Sequence, residues 1–280
     1  MLGQHPQVYG FPELNLFLTD TVAELLTLGN SSALGSCSYT TGLLRVLAEL
    51  EFDGQTEVNI RRAIDWVSDR SEWTTKRMLK QLLEWIRPRI GLDKSPRTAL
   101  SRQALDRALT NYPSSRIIHL TRHPVSTLRS LQETHRTFGT SARLSRDAVW
   151  LINFYARVWV QSQELILSVV RELGHGQALQ VRAEELLTLP DKCLPAVIEW
   201  LELCSDPDVI EAMKHPERSI YARPAPMGLD GDGDPSFLNS PNLRVPNVSQ
   251  SLHVPSEWKL EPWLSDKVTD LSHQLGYGNI

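Results

Sequence analysis

The chain has 280 residues, 41% of them hydrophobic, and a net charge of −4. That length can bury a full core as one large domain or two small ones, and the mild acidity excludes a general affinity for nucleic acid. Three cysteines, Cys37, Cys193 and Cys204, are too few and too scattered for a disulfide framework or a metal site, which suits a reducing, cytoplasmic setting. No apolar run reaches the ~20 residues of a membrane span and no signal peptide opens the sequence, so a soluble protein is expected.

Taken in order, Met1-Leu2-Gly3 reads as the tail of a helix closed by glycine, which predicts sequence missing before it. His5-Pro6 then turns the chain into a strand-like stretch, Val8 to Phe11, and Pro12-Glu13 places a carboxylate at its end. Glu13 has two readings, a general base or a helix N-terminal acid favoured by the dipole. Leu14 to Leu28 and Thr41 to Leu50 have helical spacing. The small-residue joint between them, Gly29 to Ser36, lacks a following Gly-Lys-Ser/Thr and is not a phosphate loop. Thr56 to Ile86 predicts two amphipathic helices, with Trp66, Trp73 and Trp85 as core or groove wall.

Charge is concentrated in the next stretch: from Arg87 to Arg129 there are nine lysines and arginines against two aspartates. A basic centre in an acidic chain points to a bounded anionic ligand, although Arg102 and Arg107 read as helix-surface residues. Ile90 to Leu92 is a short strand leading to Lys94 and a proline turn. A helix over Thr98 to Asn111 connects it to a second strand carrying Ile117, Ile118 and Leu120, an apolar run of the kind a sheet buried on both faces requires. This predicts a βαβ unit with parallel strands, and Lys94 and Arg122 at neighbouring strand ends would make an anion pocket. Pro124 opens a helix with Val125, Leu128 and Leu131 on one face, so Arg122 stands at a strand's carboxyl end beside a helix N-terminus. Arg122 and Ser130 could clamp one phosphate between a guanidinium and a hydroxyl. The plainer alternative is a solvated strand-end arginine and a serine bonded to its own helix.

Arg146 to Leu173 predicts a long packing helix, and His135, Arg136 and Arg143 before it occupy a loop that could close over a ligand. Leu179 to Glu185 is a further strand candidate and Leu194 to Leu203 a short helix. After Asp206, prolines and glycines fragment the chain into a functional lid or a linker. Leu229 to Pro235 resembles half of a calcium loop, but Leu238, Asn239 and Ser240 stand where a glutamate is needed, so a polar turn is the better reading. Leu264 to Tyr277 is a terminal helix with Val268, Leu271 and Leu275 on one face, stopped by Gly276.

Four places in this order carry a family resemblance: MLGQHPQVYGFPELNLF at the start, DKSP at Asp93 to Pro96, TRHPVSTLRS at Thr121 to Ser130, and LGYG at Leu275 to Gly278. With them the chain resembles sulfotransferases that use 3′-phosphoadenosine 5′-phosphosulfate (PAPS), on the tyrosylprotein-sulfotransferase-like branch. The resemblance implies an α/β, helix-rich, P-loop-nucleotide-hydrolase-like three-layer fold with a central parallel sheet. Residues 1–205 would be an incomplete core, and residues 206–280 a lid and C-terminal helix of the same domain. It implies that Arg122 and Ser130 hold the 3′-phosphate, that Glu13 takes the acceptor proton and that Lys94 lies near the bridging oxygen of the leaving phosphosulfate.

The reaction implied is in-line sulfuryl transfer from PAPS as co-substrate, without a metal, to a small-molecule, peptide or glycan hydroxyl. Neither the acceptor nor the oligomeric state is legible, and no nucleic-acid or membrane partner is implied. The family's first strand and its P-R-S-G-T/S-T phosphate loop are missing from the sequence. Either the start is set too late, or the chain is a truncated product with impaired transfer. The alternative function is a non-catalytic nucleotide-binding or scaffold protein that keeps the fold. A P-loop kinase relative is disfavoured because no lysine-bearing phosphate loop is visible.

Overall fold

The computed structural model describes residues 1–30, 39–138, 148–229, 233–244 and 254–278. The chain runs β1 (Val8–Gly10), α1 (Val22–Asn30), α2 (Thr41–Leu50), α3 (Glu57–Ser68), α4 (Thr75–Trp85), β2 (Ile90–Leu92), α5 (Arg102–Asn111) and β3 (Ile117–Thr121). It continues through α6 (Pro124–Phe138), α7 (Ala148–Glu172), β4 (Ala178–Arg182), α8 (Ala183–Thr188), α9 (Pro190–Trp200), α10 (Pro207–Met213), α11 (Pro235–Asn239) and α12 (Pro262–Gln274). Short 3-10 turns punctuate this order. The result is a helix-rich α/β fold with small parallel sheets.

Two compact units emerge, Met1–Pro113 with Leu194–Arg244, and Ser114–Cys193 with Val245–Ile280. In the first, β1 and β2 pair in parallel with Val8 opposite Ile90 and Gly10 opposite Leu92. Its core gathers fully buried Leu14, Leu43, Leu47, Ile60, Met78 and Leu82. In the second, β3 and β4 pair in parallel with Ile117 opposite Ala178 and Thr121 opposite Arg182. There Val125, Leu128, Ile152, Trp159, Leu264 and Val268 pack the faces of α6, α7 and α12 together.

Side-chain caps explain where the helices begin. Thr56, Thr74 and Ser101 each accept a backbone N–H from three residues on, satisfying one of the donors a helix start leaves unpaired. Thr21 and Glu24 form a reciprocal capping box: the Glu24 N–H donates to Thr21 Oγ1, and the Glu24 carboxylate accepts the N–H groups of Asp20 and Thr21. The helix expected over Leu14 to Leu28 therefore starts only at Val22, preceded by a 3-10 turn over Leu16–Leu18 and by Asn15 in a left-handed conformation. Ser101 likewise divides the stretch expected as one helix into a 3-10 turn, Pro96–Leu100, and α5.

Other expectations are corrected by the pairing. Two separate two-stranded sheets are found among the described residues rather than one central sheet, and β2 pairs with β1 rather than with β3. The β2–β3 pairing that the predicted βαβ unit requires is not found among the described residues. Nor is β3 covered on both faces: His119 and Thr121 are buried while Leu120 is 55% exposed. Alternation along a strand sends His119 and Thr121 to one face and Leu120 to the other. His119 is accommodated by a 2.9 Å hydrogen bond with Gln163, and burial pushes its pKa down, favouring the neutral ring. His135 and Arg136 continue α6 instead of forming a loop. Cys37, Ser31 to Ser36, Arg143 and Asp230 to Asp232 lie outside the described residues. Cys193 and Cys204 are free thiols.

Candidate functional site

In the first unit the chain leaves β1 through Phe11 and Pro12, and Glu13 follows, 7% exposed. Phe11 extends the parallel pairing, its N–H donating to the Leu92 carbonyl at 2.8 Å. Parallel strands bring their following segments out at the same end, so residues 13–15 meet residues 93–95. Asp93 accepts the Leu14 N–H at 3.2 Å, and the Ser95 hydroxyl donates to Asp93 at 2.9 Å while accepting the Asn15 N–H at 2.9 Å. These bonds clip the two segments together on either side of Lys94. Burial pushes the Asp93 carboxyl up to about 6; the Leu14 and Ser95 hydrogen bonds and the Lys94 charge oppose that shift, and the Glu13 charge adds to it.

Held in this way, Lys94 Nζ lies 2.5 Å from Glu13 Oε1, and Arg97 Nη1 lies 3.4 Å from Glu13 Oε2. The Arg97 guanidinium also lies over the Tyr39 ring, 4.7 Å from its centroid. From behind, α2 presses directly on the Glu13 backbone. A Cβ at Gly42 would sit 2.2 Å from the Glu13 carbonyl oxygen, so only glycine admits this approach. The carboxylate is thus fixed on its main-chain side by α2 and neutralised on its side-chain side by two cations. Lys94, with 61% of its side chain exposed, keeps its ammonium open to solvent and to an anion.

In the second unit Arg122 follows the last residue of β3, and Pro124 begins α6 two positions later. Arg122 is exposed, while Ser130, the seventh residue of α6, is half-buried. Neither side chain is engaged by another described residue, whereas the backbone between them is tightly held. The His123 N–H donates to Glu184 Oε1 at 2.7 Å, and the Thr127 hydroxyl donates to the His123 carbonyl at 3.1 Å. His123 itself is 5% exposed, and neither ring nitrogen has a hydrogen-bond partner among the described residues. Burial pushes its pKa down, which keeps the ring neutral.

The structure therefore brings Glu13 and Lys94 together in one unit and places Arg122 and Ser130 on one turn and helix of the other. Sequence reading missed Arg97 as the second cation on Glu13, and it missed Asp93 and Ser95 as the clip around Lys94. The signal for the clip was present in Asp93-Lys94-Ser95-Pro96, since aspartate and serine before a proline are turn-forming residues whose side chains bond nearby backbone. No local signal marked Glu184. Among the described residues no group of three or more His, Cys, Asp or Glu could hold a metal, and no helix is long and apolar enough to cross a membrane.

Residues 1–207 match the model of the Sulfotransferase family. No curated protein matches the chain. Among solved structures, the sulfotransferase domain from the curacin biosynthetic pathway aligns with a TM-score of 0.75 at 22% identity, covering 100% of this chain and 92% of that one. The sulfotransferase domain from the Synechococcus PCC 7002 olefin synthase aligns with a TM-score of 0.72 at 24% identity, covering 100% of this chain and 89% of that one. At such identities the likeness speaks for a shared fold. The match of the family model over most of the sequence goes further, and by it this chain belongs to the Sulfotransferase family.

Proposed function

We propose that the protein transfers the sulfuryl group of PAPS to an acceptor hydroxyl, with Glu13 as base. The observation that carries this reading is the Glu13 carboxylate with the Lys94 ammonium 2.5 Å away, at the end of a parallel strand pair in a sulfotransferase-family chain. In the step itself the acceptor oxygen attacks sulfur, its proton passes to Glu13, and the bond from sulfur to the bridging phosphate oxygen breaks. The electron pair of that bond leaves on the phosphate of 3′-phosphoadenosine 5′-phosphate (PAP). Negative charge grows on that oxygen in the transition state, so a solvent-open cation such as Lys94 favours the transition state over the ground state. Arg122 and Ser130 take the 3′-phosphate, the guanidinium as a planar charged donor and the hydroxyl as a neutral one, beside the N-terminus of α6. The finer assignment, to the tyrosylprotein-sulfotransferase-like branch, belongs to the same proposal.

The test is release of PAP from PAPS in the presence of a mixed panel of alcohols, phenols, sugars and tyrosyl peptides, paired with calorimetric binding of PAP. Glu13→Gln is expected to bind PAP as the wild type does and to lose release by about a hundredfold, in the range of a lost general base. Release by Glu13→Gln at the wild-type rate would overturn the assignment of the base. PAP bound tightly by the wild type with no release from PAPS would instead favour the nucleotide-binding scaffold.

A further inference from the structure

We propose that Glu184 and Tyr277 are positioning residues that latch the Arg122 turn into its phosphate-binding form. This rests on the reading of Arg122 and Ser130 as the 3′-phosphate clamp. The two residues come from distant places, Glu184 from α8 just after β4 and Tyr277 from the segment after α12, and they meet at the residues flanking Arg122. On one side, the Glu184 carboxylate accepts the His123 N–H at 2.7 Å through Oε1. Its other oxygen, Oε2, lies 3.0 Å from the Tyr277 hydroxyl, which is 3.1 Å from the Thr121 hydroxyl on the opposite side. The main chain of Arg122 is therefore held through both neighbours by one carboxylate and one phenol.

The latch is itself braced. Gln180 Nε2 donates to the Leu275 carbonyl and Arg182 Nη1 to the Gly276 carbonyl, each at 2.8 Å, tying the C-terminal segment along β4. Gly276 has a φ of +83°, a left-handed turn that glycine adopts without strain and that sends Tyr277 back toward Thr121. The His123 ring then stands edge-on to Tyr277 at 5.6 Å and 83°, which explains a histidine buried without polar partners among the described residues: it serves as an aromatic surface. A flexible guanidinium on a fixed backbone has less freedom to lose on meeting a phosphate than one on a mobile turn, so the latch should appear in affinity for the 3′-phosphate.

The experiment is calorimetry of the full chain with PAP and with 5′-AMP, which lacks the 3′-phosphate, alongside thermal melts. The wild type should prefer PAP. Glu184→Ala and Tyr277→Phe should each reduce that preference by about tenfold, the scale of one or two hydrogen bonds. Glu184→Gln, which still offers an oxygen to the His123 N–H, should recover most of it. Tyr277→Phe keeps the ring packing and so guards against simple unfolding. Lower melting temperatures with an unchanged PAP to AMP ratio would reduce the latch to a structural contact and overturn the proposal. If that ratio stays unchanged while Arg122→Ala abolishes it, the latch fails and the clamp stands. If Arg122→Ala itself leaves the ratio unchanged, the clamp fails and the latch with it.

Discussion

Gly42→Ala is a sharp test of how Glu13 is held, because two effects of opposite sign compete at that position. In a helix such as α2, alanine in place of glycine is worth up to about 1 kcal/mol of added stability. Against this, the new methyl group would lie 2.2 Å from the Glu13 carbonyl oxygen, 2.7 Å from its carbon and 3.1 Å from its nitrogen. Ordinary contact would require a separation larger by about 1 Å. The atoms in the way belong to the main chain and cannot rotate aside, and the neighbouring Leu14 and Leu43 are fully buried. The upper end of the cost of overpacking, about 3 kcal/mol, therefore applies, and the net loss should be about 2 kcal/mol. For a folding unit of this size that is a fall in Tm of about 4–8 °C.

Urea and thermal denaturation followed by circular dichroism would read this loss, with Gly174→Ala as the control. There the nearest atom to an added Cβ is 3.9 Å away and no clash arises. A Gly42→Ala protein as stable as the wild type, or more so, would refute the close approach of α2 to Glu13.

Three further outcomes follow from the contacts described. Burial raises the Asp93 pKa from 3.8 to about 6, so the folded state holds this proton more tightly than the unfolded chain. Its stabilising contribution is full below the unfolded value and is lost as pH rises through about 6. Asp93→Asn should accordingly gain stability relative to the wild type between pH 4 and pH 8, by up to about 3 kcal/mol in urea denaturation, and equal effects at both pH values would contradict it. His123→Phe, which keeps the ring against Tyr277 and removes two buried nitrogens that have no hydrogen-bond partner among the described residues, should leave stability unchanged or raise it by about 1 kcal/mol; a large loss would reveal a polar partner. Arg107, with 10% of its side chain exposed, donates to both carboxylate oxygens of Asp20 and to the Phe17 carbonyl, joining α5 to the turn before α1. Arg107→Ala should cost about 1–2 kcal/mol, a figure held down by solvent around the exposed Asp20. Arg107→Lys should recover little, since an ammonium cannot reproduce the fork.

Arg107 also illustrates where the sequence misleads. Its position in an amphipathic helix suggests a surface charge, and the same reasoning is right for Arg102, which pairs with Asp106 one turn away. What separates them is whether another element packs over the helix face, and helical spacing carries no information about that. Leu120 shows the same gap from the apolar side: Ile117, Ile118 and Leu120 correctly mark a strand, yet the buried positions there are those of His119 and Thr121. The clip at Asp93 and Ser95 was partly legible from its turn residues. Its targets, the Leu14 and Asn15 amides, lie about eighty residues away and were not.

By itself the sequence was enough to locate α2, α3, α4, α7 and α12, the strand, turn and helix that carry Arg122 and Ser130, and the resemblance to sulfotransferases. These depend on interactions within a few residues, where hydrophobic spacing, caps, prolines and glycines act directly on the local backbone. Tertiary structure alone decided that β2 pairs with β1, that Glu13 meets both Lys94 and Arg97, and that Glu184 and Tyr277 close on the residues beside Arg122. A carboxylate or an unpaired amide must find a partner once water is removed. Which partner it finds depends on the segments that long-range packing happens to bring alongside.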